Sequence, residues 1–300
     1  MFHLLVNPTA ARGHTGARLS RLCRALDTAG ISYDIHTSEY PDHAVEILTR
    51  IGGTARIVVA VGGDGTVNQT VNAARAHDVL LGVLPTGTGN DFAHQLGVSR
   101  LRTAIATLRT GVERRFDVAE VSILESDGSV RTRRFINTMG IGFDAAVGAR
   151  ARNHGGSGIL PYLAAVLHEL RVWKGVDARI THDGVVRELP LFLATVGNGR
   201  RSGGGFLLTP DALPDDGLLD LCVARDMPRS RVLRVLPRTF NGSHLAAPEV
   251  ETARATSFSI ELAAPLALHL DGEIMSTDAI RIDVRVVSGA QRVLAHPTAR

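Results

Sequence analysis

Two glycine-rich segments, each directly after a short apolar run, constrain the fold of this chain more than any other feature of its sequence. Ile57 to Val61 leads into Gly62 to Thr66, which reads GGDGT, and Leu80 to Leu84 leads into Pro85 to Asp91, which reads PTGTGND. Glycine allows positive φ and the close approach of a ligand to backbone N–H groups. A helix that begins at such a turn points the positive end of its dipole at a bound anion. The pattern therefore predicts a site for the phosphate chain of a nucleotide.

Apolar runs alternate with helix-like segments from Phe2 to about Gly111, which predicts a parallel sheet covered by helices. The predicted strands are Leu4 to Val6, Ser32 to His36, Arg56 to Val61 and Leu80 to Leu84, and the predicted helices are Gly16 to Ala29, His43 to Ile51 and Val67 to His77. Ligands bind such sheets beyond the carboxyl ends of the strands, where both glycine turns fall.

After about Arg114 the pattern changes to strands of alternating polarity, which predicts an antiparallel β-sandwich interrupted by a helix from Ile159 to Trp173. The strands are predicted at Asp117 to Leu124, Arg131 to Met139, Ala178 to His182, Leu189 to Gly197, Leu218 to Ala224, Ser257 to Leu262 and Ala267 to Leu270. A last strand, Ile280 to Val287, is expected to return to the first domain. The predicted fold is α/β plus mainly-β, with an α/β domain of residues 1–114 and 285–300 and a β-rich domain of residues 115–284.

The composition excludes several modes of ligand binding and catalysis. The 300 residues are 44% hydrophobic with a formal net charge of +3, and no basic run is interleaved with aromatic residues, so nucleic acid is not an expected partner. Lys174 is the only lysine, which excludes a Walker loop and the strand lysine of a protein kinase. Any phosphoryl transfer must therefore use backbone N–H groups, arginine and a divalent ion.

The cysteines and the N-terminal segment indicate a cytoplasmic protein. Cys23 and Cys222 are too few for a disulfide framework or a zinc site, which favours a reducing compartment. The sequence opens on a short strand rather than a charged leader, and no apolar stretch reaches the roughly 18 residues of a spanning helix.

Asp64 has two interpretations. In an ordinary βα turn it would be an N-cap that satisfies orphan N–H groups of the following helix. The second glycine loop, in the next βα unit, favours a part in phosphate and metal chemistry instead.

The wider sequence resembles the diacylglycerol kinase catalytic-domain family, which includes sphingosine, ceramide and bacterial lipid kinases and, more distantly, NAD kinase and phosphofructokinase. Besides GGDGT, blocks similar to those of the family follow in the family's order along nearly the full chain. They are Asn7 to Gly13, Pro85 to Ala93, Gly140 to Asp144, Gly197 to Gly199, Gly203 to Gly205, Pro210 to Asp220 and Leu270 to Glu273. The blocks Asn90 to Ala93 and Asp215 to Asp220 are similar to the soluble bacterial lipid kinases rather than to NAD kinase.

The resemblance implies that the α/β domain binds ATP. The implied nucleotide contacts are Asn7, Pro8, Thr9, Ala10, Ala11, Thr37, Gly62, Gly63, Asp64, Gly65, Thr66, Val67, Asn68, Gln69, Thr88 and Glu273. Two positions depart from the family pattern, since Ala11 replaces a glycine and His94 replaces an arginine. Nucleotide affinity is the property that these two replacements would change.

The resemblance also implies two magnesium sites. Asp64, Asp91 and Asp117 correspond to a carboxylate network around the catalytic Mg²⁺, an ion that keeps several waters and bridges phosphate oxygens. A second, structural Mg²⁺ would be held by the Asp216 side chain and by the carbonyls of Leu213 and Leu218. The alternatives are a turn carboxylate for Asp117 and a solvated turn around Asp216.

Asp271 is the implied catalytic base, with Asp64 as the second catalytic carboxylate. In the family the aspartate of this segment accepts the proton of the lipid hydroxyl as it attacks the γ-phosphorus. Period-two alternation from Ala267 to Glu273 predicts that His269, Asp271 and Glu273 share one face. The alternative is a hairpin in which Asp271 and Gly272 only form the turn.

The predicted helix Ile159 to Trp173 carries a leucine stripe at helical spacing. Its members are Leu160, Leu163, Leu167 and Leu170, and Arg171 and Lys174 lie beside its end. Such a stripe is typical of a core-facing helix, and a membrane-facing helix is the alternative.

The sequence as a whole predicts an ATP- and Mg²⁺-dependent lipid kinase with its site in a cleft between the two domains. The favoured substrate is diacylglycerol, and the β-rich domain is expected to supply the lipid pocket and Asp271. The rivals are a kinase of NAD or of sphingoid lipids and a non-catalytic nucleotide or lipid sensor. A membrane lipid is the expected partner through peripheral membrane contact, and a homodimer is left open.

Overall fold

The computed structural model describes residues 1–9, 13–40, 42–51, 55–153 and 159–299. They form two compact units: unit 1 is Met1–Val118 with Ser288–Arg300, and unit 2 is Ala119–Val287. The chain enters unit 2 within one long strand and leaves it within another, so no loop marks either boundary. The boundaries expected from the sequence, after residues 114 and 284, fall in the same two strands.

Unit 1 alternates strands and helices. Its strands are β1 (Phe2–Val6), β2 (Tyr33–Thr37), β3 (Ile57–Gly62) and β4 (Leu80–Pro85), and its helices are α1 (His14–Thr28), α2 (His43–Ile51), α3 (Asp64–Ala73), α4 (Asp91–Gln95) and α5 (Leu101–Thr110). The four strands pair in parallel in the order β4-β3-β1-β2. Helices α4 and α5 are additions to the elements that the sequence pattern indicates.

Burial on both faces explains the apolar strands of unit 1. β3 is inaccessible to solvent from Val58 to Val61, as expected for a parallel strand with helices on both sides. α2 packs its apolar stripe, from Ala44 to Leu48, into the same core. At the carboxyl edge of the sheet, Gly62 is in register with Pro85. This register places the two glycine-rich turns side by side.

Unit 2 is rich in antiparallel β-structure. Its strands are β5 (Val112–Glu125, which begins in unit 1), β6 (Val130–Phe135), β7 (Thr138–Gly142), β8 (Val176–His182), β9 (Val185–Gly197), β10 (Leu219–Arg225), β11 (Val250–Ala255), β12 (Ser257–Leu270) and β13 (Glu273–Ala295, which ends in unit 1). Its helices are α6 (Phe143–Asn153), α7 (Ile159–Val172) and α8 (Arg229–Val235). In unit 1, the end of β13 pairs in parallel with β4 through Arg292 and Val293.

The long strands β9 and β12 organise unit 2. The first part of each pairs with β8 and the last part of each pairs with β7, so the four strands form a closed ring of antiparallel pairings. β10, β11 and β13 extend the ring outward. The core contains fully buried side chains of three ring strands, including Met139, Val196 and Leu268.

Three features of unit 2 differ from the predicted elements. The single strand expected from Arg131 to Met139 is two strands, β6 and β7, separated by Ile136 and Asn137. The two strands expected after Ser257 are one strand, β12, whose register with β13 shifts between Glu261 and Leu266. The helix α6, which none of the predicted elements covers, directly follows β7, whose last residue, Gly142, has a positive φ of 94°. None of the described helices is long and apolar enough to cross a bilayer.

Candidate active site

The two glycine-rich turns of unit 1 are in backbone contact. A Cβ on Gly87 would lie 2.4 Å from the Cα of Gly63, and a Cβ on Gly63 would lie 3.2 Å from the Cα of Gly87. The N–H of Thr86 donates a hydrogen bond of 2.9 Å to the carbonyl of Gly62. The turns therefore form one glycine-lined surface, and a side chain at position 87 has no space.

Asp64 begins helix α3 and reaches the start of helix α4. The N-cap of α3 is Gly63, and the Oδ1 atom of Asp64 accepts a hydrogen bond of 3.0 Å from the N–H of Phe92. The simple N-cap interpretation of Asp64 is therefore wrong, because its carboxylate satisfies an orphan N–H of the next helix. One carboxylate joins the two glycine turns.

The carboxylates of Asp64 and Asp91 interact across these turns. Burial, with the neighbouring charge of Asp91 as the second cause, raises the pKa of Asp64 to about 6. Asp91 itself is only 4% exposed. Two like charges at a poorly solvated edge destabilise each other, and a divalent cation would remove that cost.

Side-chain bonds preform the loops at this edge. Asn90 adopts a positive φ of 54°, its Oδ1 accepts from the N–H of Gly87 at 3.0 Å and its Nδ2 donates to the carbonyl of Gly87 at 2.8 Å. In the loop after β1, the Oδ1 of Asn7 accepts from the N–H and the hydroxyl of Thr9, at 3.1 and 2.7 Å. Preformed loops bind a ligand without paying the entropy of ordering them.

The predicted nucleotide contacts differ in accessibility. Those that are exposed or partly exposed are Asn7, Pro8, Thr9, Thr37, Gly63, Asp64, Gly65, Gln69, Thr88 and Glu273, whereas Gly62, Thr66, Val67 and Asn68 are buried. Val67 packs in the core, so position 67 offers a ligand only its backbone. The buried Oγ1 of Thr66 has no hydrogen-bond partner among the described residues, which leaves a polar group for a ligand at the start of α3. Ala10 and Ala11 lie outside the described residues.

Asp117 is buried in β5, where its carboxylate accepts a hydrogen bond from a neighbouring strand. Its Oδ1 accepts a hydrogen bond of 2.7 Å from the N–H of Gly289 in β13, within unit 1. Asp64 and Asp91 are thus brought together, while a part for Asp117 in the metal network stays a prediction. Within the described ranges, no three His, Cys, Asp or Glu side chains are grouped as metal ligands. Magnesium suits such a site, because it takes one or two carboxylates and completes its shell with phosphate oxygens and water.

Asp271 lies in unit 2, in the two-residue turn between β12 and β13. Asp271 and Gly272 have φ values of +48° and +82°, and Leu270 faces Glu273 across the turn. The hairpin alternative is therefore correct for the backbone. The predicted common face of His269, Asp271 and Glu273 is wrong, because the alternation ends with the strand at Leu270.

Burial distinguishes Asp271 from an ordinary turn residue. Its carboxylate accepts hydrogen bonds from the N–H groups of Ile136, Asn137 and Thr138, at 3.1, 2.9 and 2.9 Å. Asp271 is 6% exposed. Backbone donors of this kind stabilise the charged form of a carboxylate. They also explain the break between β6 and β7, since Ile136 and Asn137 direct their N–H groups at Asp271 rather than at a neighbouring strand.

A carboxylate–imidazole pair, Asp144 and His269, adjoins this turn and is not predicted by the sequence pattern. The Nε2 of His269 lies 3.2 Å from the Oδ2 of Asp144, and the N–H of Gly272 lies 3.4 Å from the Nδ1 of His269. A Cβ on Gly140 would come within 2.2 Å of Asp144 Oδ2 and 2.3 Å of His269 Nε2. The first glycine of the GxGFD block is therefore needed to admit the pair. The signal in the sequence was a histidine two residues before the proposed base.

Polar groups of a glycine-rich loop surround the residues that hold Asp271. The Nδ2 of Asn137 donates to the carbonyl of Arg201 at 2.7 Å, and the Oγ1 of Thr138 lies 3.2 Å from the Oγ of Ser202. The Oδ1 of Asn137 and the Nε of Arg201 are buried and have no hydrogen-bond partner within the described part of the chain. They are polar atoms that a bound substrate can satisfy.

The second predicted metal site contains an arginine. The Oδ2 of Asp216 forms an ion pair with Arg254, and its Oδ1 accepts from the N–H of Leu218 at 3.0 Å. The Nε of Arg254 also lies 3.3 Å from the Oδ1 of Asp220. Leu213 is exposed beside this turn. Arg254 supplies positive charge beside Asp216 and Asp220, and a structural magnesium at this turn stays a prediction.

A kinase that phosphorylates a hydroxyl needs three features that are present here. They are glycine turns that can receive phosphate, a pair of interacting carboxylates, and a buried aspartate held by N–H groups. The comparisons with known proteins agree. Residues 1–121 match the family "Diacylglycerol kinase catalytic domain", and residues 137–295 match the family "YegS C-terminal NAD kinase beta sandwich-like domain". The chain belongs to the diacylglycerol kinase family and is a lipid kinase.

Individual relatives cover most of the chain. It is 31% identical to a diacylglycerol kinase of Mycobacterium tuberculosis over 79% of its length and 76% of the relative. It is 28% identical to a diacylglycerol kinase of Bacillus subtilis, over 90% of the chain and 88% of the relative. A crystal structure of a diacylglycerol kinase from Bacillus anthracis has the same fold, with a TM-score of 0.71, 21% identity and coverage of 100% of this chain and 98% of the other.

A more distant fold relative is yeast NADH kinase, with a TM-score of 0.51, 10% identity and coverage of 100% of this chain and 84% of the other. At that identity the likeness shows the fold alone. Membership of a kinase family implies that this chain uses ATP.

Proposed function

We propose that this kinase transfers the γ-phosphoryl group of ATP to the free hydroxyl of diacylglycerol, with Mg²⁺ as the metal. The lipid oxygen forms a bond to the γ-phosphorus, the bond from that phosphorus to the bridging oxygen of ADP breaks, and the hydroxyl proton passes to a protein carboxylate. The products are phosphatidic acid and ADP. Two relatives that cover most of the chain carry the name diacylglycerol kinase, which supports this substrate.

The observation that carries the proposal is the pair of Asp64 and Asp91 beside the contacting glycine turns. Burial and the neighbouring charge of Asp91 raise the pKa of Asp64, so a positive charge bound beside the pair would stabilise its ionised form. Asp64 and Asp91 would hold the metal, with Asp117 as the predicted third member of the network. When bound, magnesium neutralises charge on the phosphates. The backbone N–H groups of the glycine turns and the start of α3 would hold the phosphate chain.

Asp271 is the proposed proton acceptor. Its three backbone donors keep the carboxylate charged and fix its orientation. The same donors weaken it as a free base, so the proton moves only as the bond from the lipid oxygen to phosphorus forms. Asp144 and His269 are proposed to orient the turn that carries it, since the ring of His269 contacts both Asp144 and Gly272.

An apolar cavity in unit 2 supports a lipid as the acceptor. Its lining includes Phe192, Leu208, Ala224, Val232, Val235 and Val250. A second cavity, which Trp173 and Arg229 help to line, shares Phe192, Met227 and Val232 with the first. The second cavity has the more polar lining, so the apolar lining of the first is the one that suits an acyl chain of diacylglycerol.

The test is to supply purified protein with labelled ATP, Mg²⁺ and one acceptor at a time. Diacylglycerol, phosphatidylglycerol, sphingosine and NAD are the acceptors to compare. We expect label in phosphatidic acid, dependent on Mg²⁺ and absent when the metal is chelated. Label in another lipid only would overturn diacylglycerol as the substrate, and label in NADP only would overturn the lipid acceptor. Saturable ATP binding without any labelled product would support a sensor instead.

A further inference from the structure

Exposed apolar side chains of unit 2 concentrate on three neighbouring elements. Among the described residues, six large apolar side chains are more than half exposed, and four of them lie on α7, α8 and the 3-10 turn Leu236–Phe240. These four are Leu167, Val172, Leu233 and Phe240, with exposed fractions of 55, 54, 53 and 60%. A surface of this kind marks an interaction site more often than chance exposure does.

The three elements pack against one another. Leu170 of α7 and Val232 and Val235 of α8 belong to one buried cluster. The guanidinium of Arg229 at the start of α8 donates a hydrogen bond to the carbonyl of Arg171 in α7. Val235 is followed directly by the 3-10 turn that ends in Phe240. The exposed apolar residues therefore stand on one continuous part of unit 2.

The same elements carry a positive charge excess. Exposed cations on or beside them are Arg171, Lys174, Arg229 and Arg234. The acidic residues of residues 167–174 and 226–240 are Glu169 and Asp226, and Glu169 is buried in an ion pair with Arg150. Lys174, the only lysine of the chain, lies here. Apolar side chains interspersed with an excess of cations suit a bilayer with anionic headgroups.

The leucines of α7 therefore fit both interpretations of the stripe, the core-facing helix and the membrane-facing helix. Leu170 faces the core and is 7% exposed, whereas Leu167 faces solvent. The positions of the Leu160 and Leu163 side chains lie outside the described residues. Leu170 lines the second, more polar cavity together with Trp173 and Arg229. Met227 and Val232 line both this cavity and the apolar one proposed for the acyl chain, so the surface and the two cavities use the same elements.

We propose that this docking face, made of α7, α8 and the turn to Phe240, seats unit 2 on an anionic bilayer. Leu167, Val172, Leu233 and Phe240 enter the headgroup region, and the four cations contact lipid phosphates. The face thereby brings the elements that line both cavities to the lipid from which the substrate comes. This inference rests on the proposed function only in taking the substrate to be a bilayer lipid.

The test is flotation of the protein with vesicles of phosphatidylcholine, with and without phosphatidylglycerol. We expect binding to the anionic vesicles that falls as salt rises, and weak binding to phosphatidylcholine alone. The double variant Leu233→Ser, Phe240→Ser should bind anionic vesicles at least about tenfold more weakly. The matched control is Val130→Ser, because Val130 is 61% exposed on β6, outside the face; it should bind as the wild type does.

A separate variant and its control test how much the positive charges contribute to vesicle binding. Lys174→Gln with Arg234→Gln should lower the partition onto anionic vesicles by roughly fivefold per charge removed. Arg187→Gln, an exposed arginine on β9, is the control and should have little effect. Thermal unfolding of every variant establishes that the fold is kept.

Separate readouts distinguish a failed docking face from a failed function. Phosphorylation of a short-chain, water-soluble diacylglycerol needs no bilayer, so it should be unchanged in the serine double variant while activity on vesicles falls. Equal flotation of the wild type and the double variant would overturn the docking face and leave the kinase activity intact. Equal loss in Val130→Ser would also overturn it. A change of the double variant from dimer to monomer in sedimentation, with vesicle binding unchanged, would assign the face to a second copy of the chain.

Discussion

Asp271 and Asp183 show how one local sequence serves two purposes. Each is the first residue of an Asp-Gly turn, with φ values of +48° and +46°, and each is followed by a glycine at positive φ. The side chain of Asp183 is 61% exposed, whereas the Asp271 carboxylate is buried under three N–H donors. The backbone conformation is common to both turns, so only the surroundings make Asp271 a candidate for chemistry.

Asp271→Asn should lower turnover by roughly two to four orders of magnitude, because the amide cannot accept the proton of the lipid hydroxyl. The amide NH₂ would also face at least one of the N–H donors, so the turn should lose some stability. The measurements are turnover with diacylglycerol, affinity for a fluorescent ATP analogue, and thermal unfolding. ATP affinity should be nearly unchanged.

Asp183→Asn is the matched control for this variant, since Asn tolerates the same positive φ in an exposed turn. It should retain wild-type turnover. Near-normal turnover in Asp271→Asn would remove Asp271 from the mechanism, and equal losses in both variants would attribute the effect to the turns.

Asp64 should make the stability of the ligand-free protein depend on pH. Its pKa is raised from 3.8 to about 6 in the folded state, so the folded protein binds more protons than the unfolded chain between these values. The stabilisation is therefore fully present below about pH 4 and is lost as the pH rises through 6. Its upper limit is about 3 kcal/mol, from two pKa units at 1.36 kcal/mol each.

Asp64→Asn should remove this pH dependence and stabilise the ligand-free protein at pH 7 by about 1–3 kcal/mol, while abolishing most activity. The amide oxygen can still accept from the N–H of Phe92. Urea unfolding at a series of pH values, for the wild type and the variant, provides the comparison. If the variant is the less stable of the two at pH 7, the carboxylate is not destabilised by its surroundings.

At the scale of elements, the contact between the turns after β3 and β4 predicts graded effects of alanine. Gly87→Ala should destabilise the protein by about 1–3 kcal/mol and raise the KM for ATP, because the new Cβ would overlap the Cα of Gly63. Gly63→Ala should be milder, since its Cβ would be 3.2 Å from the nearest atom. Urea unfolding and initial rates at varied ATP provide both readouts.

Gly148→Ala supplies the control for these glycines. It lies in α6, where the nearest atom to a new Cβ is 3.6 Å away, so alanine should stabilise the helix slightly. An order in which Gly63→Ala is the more damaging of the turn variants would contradict the contact geometry.

The elements that could be predicted are those whose sequence pattern lies within the element itself or directly beside it. The fully buried strands of unit 1 are continuous apolar runs, and the glycine turns follow them directly, so β3, β4 and their turns are evident in the sequence. The break between β6 and β7 could not be predicted, because its cause is the carboxylate of Asp271, more than a hundred residues away. Arg254 similarly reaches from β11 to Asp216 in the turn before β10, and no local sequence pattern predicts that pair.

At the scale of the whole molecule, the boundaries of the two units also depend on contacts between distant residues rather than on a local sequence signal. β5 begins in unit 1 and continues in unit 2, and β13 makes the reverse passage. Sequence patterns mark domain boundaries where loops or linkers interrupt them, and an unbroken strand provides neither. The change from helix-strand alternation to strand alternation was visible, but the residue at which one core ends and the other begins depends on contacts between distant segments.

Binding of Mg²⁺ and ATP should stabilise the whole molecule through the sites of unit 1. At a ligand concentration a hundredfold above Kd, the free energy of unfolding should rise by about 2.7 kcal/mol, provided that the unfolded chain does not bind. Asp64→Asn should lose most of this increment because it removes a metal carboxylate, whereas Asp271→Asn should keep it.

Thermal unfolding of the wild type and both variants, with and without Mg²⁺ and ATP, gives the measurement, and ATP with a chelator separates the metal from the nucleotide. The two aspartates should give opposite results in this experiment. Asp64 is proposed to bind the metal, whereas Asp271 is proposed to receive a proton after ATP has bound. A loss of the increment in Asp271→Asn, with retention in Asp64→Asn, would reverse the assignment. Equal retention in both would leave the metal without the carboxylates proposed to hold it, because loss of a metal ligand raises Kd and so lowers the stabilisation that the bound ion gives to the folded state.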